Sequence, residues 1–240
     1  MNKFFHNICF IVLVLFYPLS GISQTAANNT GEDFSPQAAV ASAHPLATQA
    51  GIDILKQGGN AFDAAIAVTA TLAVVEPYSS GIGGGGFYLL HQPENDHYVM
   101  LDARERAPYR AQKDMYLDEK GDVKAGASIT GALSAGIPGI PAALVYLAEN
   151  YGKLKLSQSL APAITYASEG FEVDAYYQRM AGFRLADLQK NKAASDIFLQ
   201  QGEVPETGFK IIQKDLAKTL QLIADDGFPV SMKTAWPGRW

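Results

Sequence analysis

A chain of 240 residues, 48% hydrophobic and with a net charge of −5, has enough apolar material for one sizeable core. Its Lys and Arg residues are dispersed with no basic run, so nucleic-acid binding has little electrostatic support. One cysteine, Cys9, excludes a disulfide framework and a cysteine-rich metal site.

The first residues carry the pattern of an export signal. Met1-Asn2-Lys3 is a short basic start, Ile8 to Tyr17 an apolar run, Pro18 a break, and Gly21-Ile22-Ser23 places small residues where a signal peptidase reads. The predicted leader spans residues 1–23, the mature chain begins near Gln24, and the protein is expected to be periplasmic or secreted. The apolar run is shorter than the roughly 20 residues a bilayer span needs, so no stable membrane anchor is expected. Cys9 would leave with the leader. Residues 24–37 are polar and are predicted to be a disordered mature N-terminus, with order beginning near Ala38.

Beyond that point the elements can be taken in order. His44-Pro45 precedes a predicted helix over Leu46–Gln57, which Gly58-Gly59 ends by supplying a left-handed cap. Asn60 reads as the N-cap of a second helix, Ala61–Val75. That helix is apolar nearly all round, which requires burial, and its many alanines imply close packing against another layer. Five glycines in six positions follow, Gly81 to Gly86, and then two predicted strands, Phe87–Leu90 and Tyr98–Leu101, across a polar turn from His91 to His97. A second Gly/Pro-rich segment, Gly131 to Pro141, leads into predicted helices over Ala142–Tyr151, Leu156–Gly170 and Ala175–Lys190. A last helix is expected within Phe209–Ile223, after Lys214-Asp215. This order predicts a layered α/β domain, with a buried helical layer against a sheet.

Gly81-x-Gly83-x-x-Gly86 fits the dinucleotide-binding expression, but that motif must follow a strand and open a helix. Here a helix precedes the glycines and a strand follows. A nucleotide cofactor is therefore not expected, and a phosphate-loop Gly-Lys-Ser/Thr is absent. The histidines show no His-x-x-x-His or Glu-x-x-His spacing for a metal, and no serine occupies a Gly-x-Ser-x-Gly elbow. Ser79 and Ser80 could serve as donors or simply as turn residues. Arg104, just after the second strand, has the charge and fork geometry to hold a carboxylate through two hydrogen bonds. The competing reading is a surface charge cluster with Asp102, Glu105 and Arg106.

Several of these motifs, in this order, resemble the γ-glutamyltransferase (glutathione hydrolase) family. They are His44-Pro45-Leu46-Ala47-Thr48, Gly58-Gly59-Asn60-Ala61-Phe62-Asp63-Ala64-Ala65, Glu76-Pro77 with Ser79 to Phe87, Asp102-Ala103-Arg104-Glu105, Gly136-Ile137-Pro138-Gly139 and Tyr151-Gly152-Lys153-Leu154. The resemblance implies an N-terminal-nucleophile hydrolase built as an αββα sandwich, of which residues 38–227 would form the large-subunit part. It implies a precursor that cuts itself into two subunits. The new N-terminal threonine of the small subunit then attacks the γ-glutamyl amide of glutathione, with its own α-amine as base. Water, an amino acid or a peptide accepts the γ-glutamyl group, and no metal or cofactor is called for. Arg104 would grip the α-carboxylate of the glutamyl moiety, and Glu105 would support it.

The threonine nucleophile belongs to the later half of family members, so no catalytic residue is assigned within this chain. Residues 228–240 match nothing in the family's pattern and read as an atypical tail, consistent with a frameshift or truncation near Gly227. The expectation is thus the front part of a γ-glutamyl enzyme, inactive alone and needing the missing small subunit as partner. The alternative is a non-catalytic secreted binding or remnant protein.

Overall fold

The computed structural model describes residues 38–227; the predicted leader, the polar segment 24–37 and the tail 228–240 lie outside the described residues. Helix α1 (Pro45–Lys56) starts with proline at its first position, where a missing N–H costs nothing. The His44 ring caps it, Nδ1 accepting the Leu46 N–H at 3.1 Å. Gly58, at φ +91°, turns the chain out of α1 in the left-handed region.

Helix α2 (Ala61–Val75) opens with a reciprocal cap. Asn60 Oδ1 accepts the N–H groups of Phe62 at 2.9 Å and Asp63 at 3.0 Å, while Asp63 Oδ2 accepts the Asn60 N–H at 2.9 Å. Asp63 is fully buried and does more than cap. Its carboxylate also accepts the Lys153 N–H at 2.9 Å and the Leu154 N–H at 3.3 Å, ninety residues along the chain. Asn60 Nδ2 donates to the Tyr151 carbonyl at 2.6 Å. A Cβ at Gly152 would lie 2.7 Å from Asp63 Oδ1 and 2.8 Å from the Ala148 carbonyl, so only glycine fits beneath the carboxylate. The motifs Gly58–Asp63 and Tyr151–Leu154 are therefore two halves of one latch.

That latch joins the start of α2 to the connection between α3 (Ile140–Asn150) and α4 (Leu156–Glu169). Helix α2 packs along α1 and α4, and α4 carries α7 (Lys214–Asp226) on its far side. Ala64, Ala67, Ala70 and Ala73 of α2 are buried, and their short side chains let the helix axes approach closely. Around them Ile66, Val74, Leu144, Leu147, Leu160, Leu220 and Ile223 form the centre of the core. At the far end of α2, the Val74 carbonyl accepts from Nε2 of the buried Gln213 at 2.8 Å, which satisfies one of the helix's open acceptors.

The sheet is smaller than the helical layer. Strands β1 (Gly86–Gln92) and β2 (His97–Ala103) form an antiparallel hairpin in which Gly86 faces Ala103 and Gln92 faces His97. Tyr88, Leu90, Val99 and Leu101 pack on the helices. The opposite face exposes Phe87 (61%), Leu89 (69%), Tyr98 (59%) and Met100 (62%).

Mixed helix and strand was expected, and most predicted helices lie where expected. The strands are longer than expected because the turn is tighter, Asp96 taking φ +49° beside His97. Helix α3 begins at Ile140, since Pro141 fits within a first turn. Unpredicted were helix α6 (Lys192–Phe198), next to α5 (Ala175–Lys190), and the two-residue strands β3 (Phe171–Glu172) and β4 (Lys210–Ile211).

Replacing Asp63 with alanine would leave three backbone donors without their acceptor in a closed environment. At about 1–3 kcal/mol for each buried unsatisfied group, Asp63→Ala should cost at least about 3 kcal/mol, read as a lowered urea midpoint at unchanged m-value.

Candidate functional site

The site is built where three backbone segments interlock. The Gly84 carbonyl accepts the N–H groups of Gly139 at 3.0 Å and Ile140 at 3.2 Å, satisfying donors at the start of α3. Arg106 and Ile137 form an antiparallel bridge, with N–O distances of 3.0 and 2.8 Å. Residues 103–106 thus run between the glycine turn and segment 136–140.

Absent side chains make this approach feasible. A Cβ on Gly85 would overlap the Glu105 nitrogen and Oε2 and would lie 2.5 Å from Arg104 Cα. One on Gly139 would collide with the Ala103 carbonyl oxygen and sit 2.7 Å from the Arg104 oxygen; one on Gly136 would sit 2.9 Å from Glu105 Cγ. None of the three has φ in the left-handed region, so glycine is required here for space and not for handedness. Gly83 and Gly84 differ: a Cβ there would meet nothing within 4 Å. The glycine run therefore has a closely packed end and an open end.

Arg104 emerges from this clamp just past β2. Its Nη2 donates to Glu105 Oε1 at 2.7 Å, and its Cζ lies 5.8 Å from the centroid of the Phe87 ring. The Arg104 N–H donates to Asp102 Oδ1 at 2.9 Å. The Arg104 side chain is 52% exposed, so its pairing with Glu105 contributes about 1 kcal/mol or less and serves mainly to orient it. A guanidinium has five N–H donors, and this pairing engages one nitrogen. Glu105 Oε2 is buried against the glycine turn and lacks a hydrogen-bond partner among the described residues. Beside Arg104 opens a cavity of about 370 Å³, lined by Leu101, Asp102, Arg106, Pro138, Tyr146 and Glu149 among others.

Both readings of Arg104 from the sequence have a counterpart here. Glu105 and Asp102 do neighbour it, yet much of the guanidinium is turned to solvent at the mouth of a cavity. Arg106 is held through its backbone. Ser79 and Ser80 act as turn residues, their N–H groups donating to the Glu76 carbonyl at 3.0 and 2.8 Å. His91 pairs with Asp96 at 3.1 Å and stacks on Tyr98, and His44 is a helix cap. Among the described residues no group of three His, Cys, Asp or Glu side chains could hold a metal ion. Sequence reasoning missed the roles of Gly85, Gly136, Gly139 and Phe87. The only signal was the pairing of two separate glycine-rich segments around Ala103–Arg106.

The family model for gamma-glutamyltranspeptidase matches residues 47–238. A glutathione hydrolase proenzyme from Pseudomonas sp. (strain A14) is 42% identical over 189 residues, covering 78% of this chain and 33% of the relative. The crystal structure of Helicobacter pylori gamma-glutamyltranspeptidase superposes with a TM-score of 0.76 at 39% identity, over 79% of this chain and 54% of that one. The gamma-glutamyltranspeptidase from Pseudomonas nitroreducens complexed with L-DON superposes with a TM-score of 0.74 at 39% identity, over 84% and 57% of the two chains. This chain belongs to the gamma-glutamyltranspeptidase family. It spans about a third of the length of the curated relatives it matches.

The two kinds of glycine predict different responses to the same substitution. Gly85→Ala should force residues 104–105 apart and cost about 1–3 kcal/mol, as overpacking does. Gly83→Ala, in open space, should stay within about 0.5 kcal/mol of the parent. Thermal melts of the two variants side by side check this contrast.

Proposed function

We propose that this chain supplies the donor-binding front portion of an enzyme that cleaves the γ-glutamyl amide of glutathione and passes the γ-glutamyl group to water, an amino acid or a peptide. The supporting observation is Arg104. Its guanidinium is braced by Glu105 and the Phe87 ring, with donors left open beside a cavity. In this reading those donors take the α-carboxylate of the glutamyl group as a two-pronged pair, and Glu105 keeps the fork in orientation. The relatives named above as glutathione hydrolase and gamma-glutamyltranspeptidase support the substrate class.

The threonine nucleophile is assigned to the later half of the family pattern, so turnover is proposed for the assembled protein and not for this chain alone. The open face of the hairpin supports a second layer there. Phe87, Leu89, Tyr98 and Met100 form an apolar surface of the kind a facing sheet covers in a sandwich, and the small subunit is the proposed source of that sheet.

The purified 240-residue chain should release no chromophore from a γ-glutamyl anilide; turnover by it would overturn the assignment of the nucleophile to another segment. In the protein completed by its small subunit, Arg104→Ala should raise KM for the donor about 10- to 100-fold, the equivalent of losing about 1.5–3 kcal/mol from a charge-assisted pair. Arg104→Lys should restore little of this, because an ammonium has no fork. A KM unchanged in Arg104→Ala would remove Arg104 from the site. Export through the leader belongs to the same proposal, and N-terminal sequencing of the mature protein should begin near Gln24.

A further inference from the structure

The segment after β2 carries two arginines, and both line the cavity of about 370 Å³ beside the glycine clamp. The backbone of Arg106 is firmly fixed. Its N–H donates to the Ile137 carbonyl at 3.0 Å, its own carbonyl accepts the Ile137 N–H at 2.8 Å, and Ile137 is buried. Such a pair sets where the side chain leaves the chain. The side chain itself is not used by the fold: Arg106 is exposed, and among the described residues its guanidinium makes no hydrogen bond or ion pair.

The carboxylates around the cavity do not claim it. Glu105 is paired with Arg104 at 2.7 Å, and Asp102 Oδ1 accepts the Arg104 N–H at 2.9 Å. Glu149 lines the cavity from α3, and among the described residues it is paired with neither arginine. Much of the remaining wall is apolar, from Leu101, Ile137, Pro138 and Ala142. A concave apolar wall with a few open polar groups is the usual make-up of a small-molecule site, and an open guanidinium in it selects an anion. Two residues of chain span at most about 7 Å, so a ligand gripped by Arg104 lies within reach of Arg106.

We infer that Arg106 binds the terminal carboxylate of the peptide joined through the scissile γ-glutamyl amide. This rests on the proposed role of Arg104. Arg104 takes the α-carboxylate of the glutamyl group, and Arg106 takes a second carboxylate on the far side of the amide. Glutathione carries both. Departure of the peptide amine and attack by an acceptor amine are one step in two directions, so Arg106 also meets the carboxylate of an amino-acid or dipeptide acceptor. Water has no such group, and Arg106 therefore weights the partition toward transfer.

The test uses the protein completed by its small subunit and compares two donors. The leaving peptide of glutathione ends in a carboxylate; the leaving group of a γ-glutamyl anilide has none. The ratio of KM for glutathione to KM for the anilide should rise about 3- to 10-fold in Arg106→Gln, a modest factor because the side chain is exposed. Arg104→Ala should raise both KM values and leave their ratio near that of the parent. In the parent, glycylglycine should be a better acceptor than its C-terminal amide. Arg106→Gln should erase that preference, and Arg106→Lys, which keeps the charge without the fork, should retain part of it. A donor ratio unchanged in Arg106→Gln, or a parent that uses the acid and amide acceptors equally, overturns the proposal. The acceptor comparison in the parent requires no substitution and decides the matter where Arg106→Gln does not fold. Unaltered KM values for both donors in Arg104→Ala would instead overturn the role of Arg104, and the Arg106 ratios separate that failure from this one.

Discussion

One buried carboxylate, that of Asp63, determines how the helical layer is joined. Three backbone N–H groups converge on it, one from the start of its own helix and two from the connection between α3 and α4. A charge enclosed in this way is tolerable only because its oxygens are occupied, and removing those donors would be as damaging as removing the acid. The arrangement also explains neighbouring residue choices that look unrelated in sequence: Asn60 reaches Tyr151, and Gly152 clears room for the carboxylate. With the latch closed, α2 lies against α4 and α1, and everything downstream is referred to that pair.

The arginine site is tied to this frame by backbone contact as well as by the side chains with which the hairpin packs on the helices. Helix α3 leaves the latch at one end and at the other receives the Gly84 carbonyl at its first N–H groups. That contact sets the glycine turn against residues 103–106, and the turn sets Arg104. An arginine side chain is long and costs about 2 kcal/mol of rotamer entropy to immobilise, so the Glu105 carboxylate and the Phe87 ring matter chiefly for limiting where it points. Little enthalpy is needed for such a role.

Much of this was legible in the residues. The cap at Asn60, the left-handed Gly58 and the all-apolar character of Ala61–Val75 follow from local chemistry, and those elements fell where local chemistry put them. Arg104 stood out as a charged fork at the end of a strand near a glycine turn, although the residues alone also allowed a surface charge cluster with Asp102, Glu105 and Arg106. Hidden were the facts that depend on residues far apart in the chain. Asp63 reads locally as the third residue of a capping box, and nothing near it announces Lys153 and Leu154. Gly85, Gly136 and Gly139 read as turn residues, whereas their function is to let three backbones touch. Helix α6 is short, and strands β3 and β4 are two residues each and pair across some forty residues of chain; such elements have too few residues to show a period. The family resemblance supplied what composition and spacing could not, namely the reaction proposed above and the expectation that the nucleophile lies in another segment.

The bridge between Arg106 and Ile137 has a consequence for how this family can vary. Between those residues the chain makes a long excursion with no α-helix or extended ladder, closed by turns and by the Tyr116 hydroxyl bonding to the Leu133 carbonyl at 3.0 Å. Both ends of the excursion are fastened at one pair of residues, next to the clamp that holds Arg104. A closed loop of this kind can grow or shrink at little cost, about 0.6 kcal/mol for each doubling of its length. Members of the family can therefore rebuild that surface, and whatever it faces, without moving the arginine.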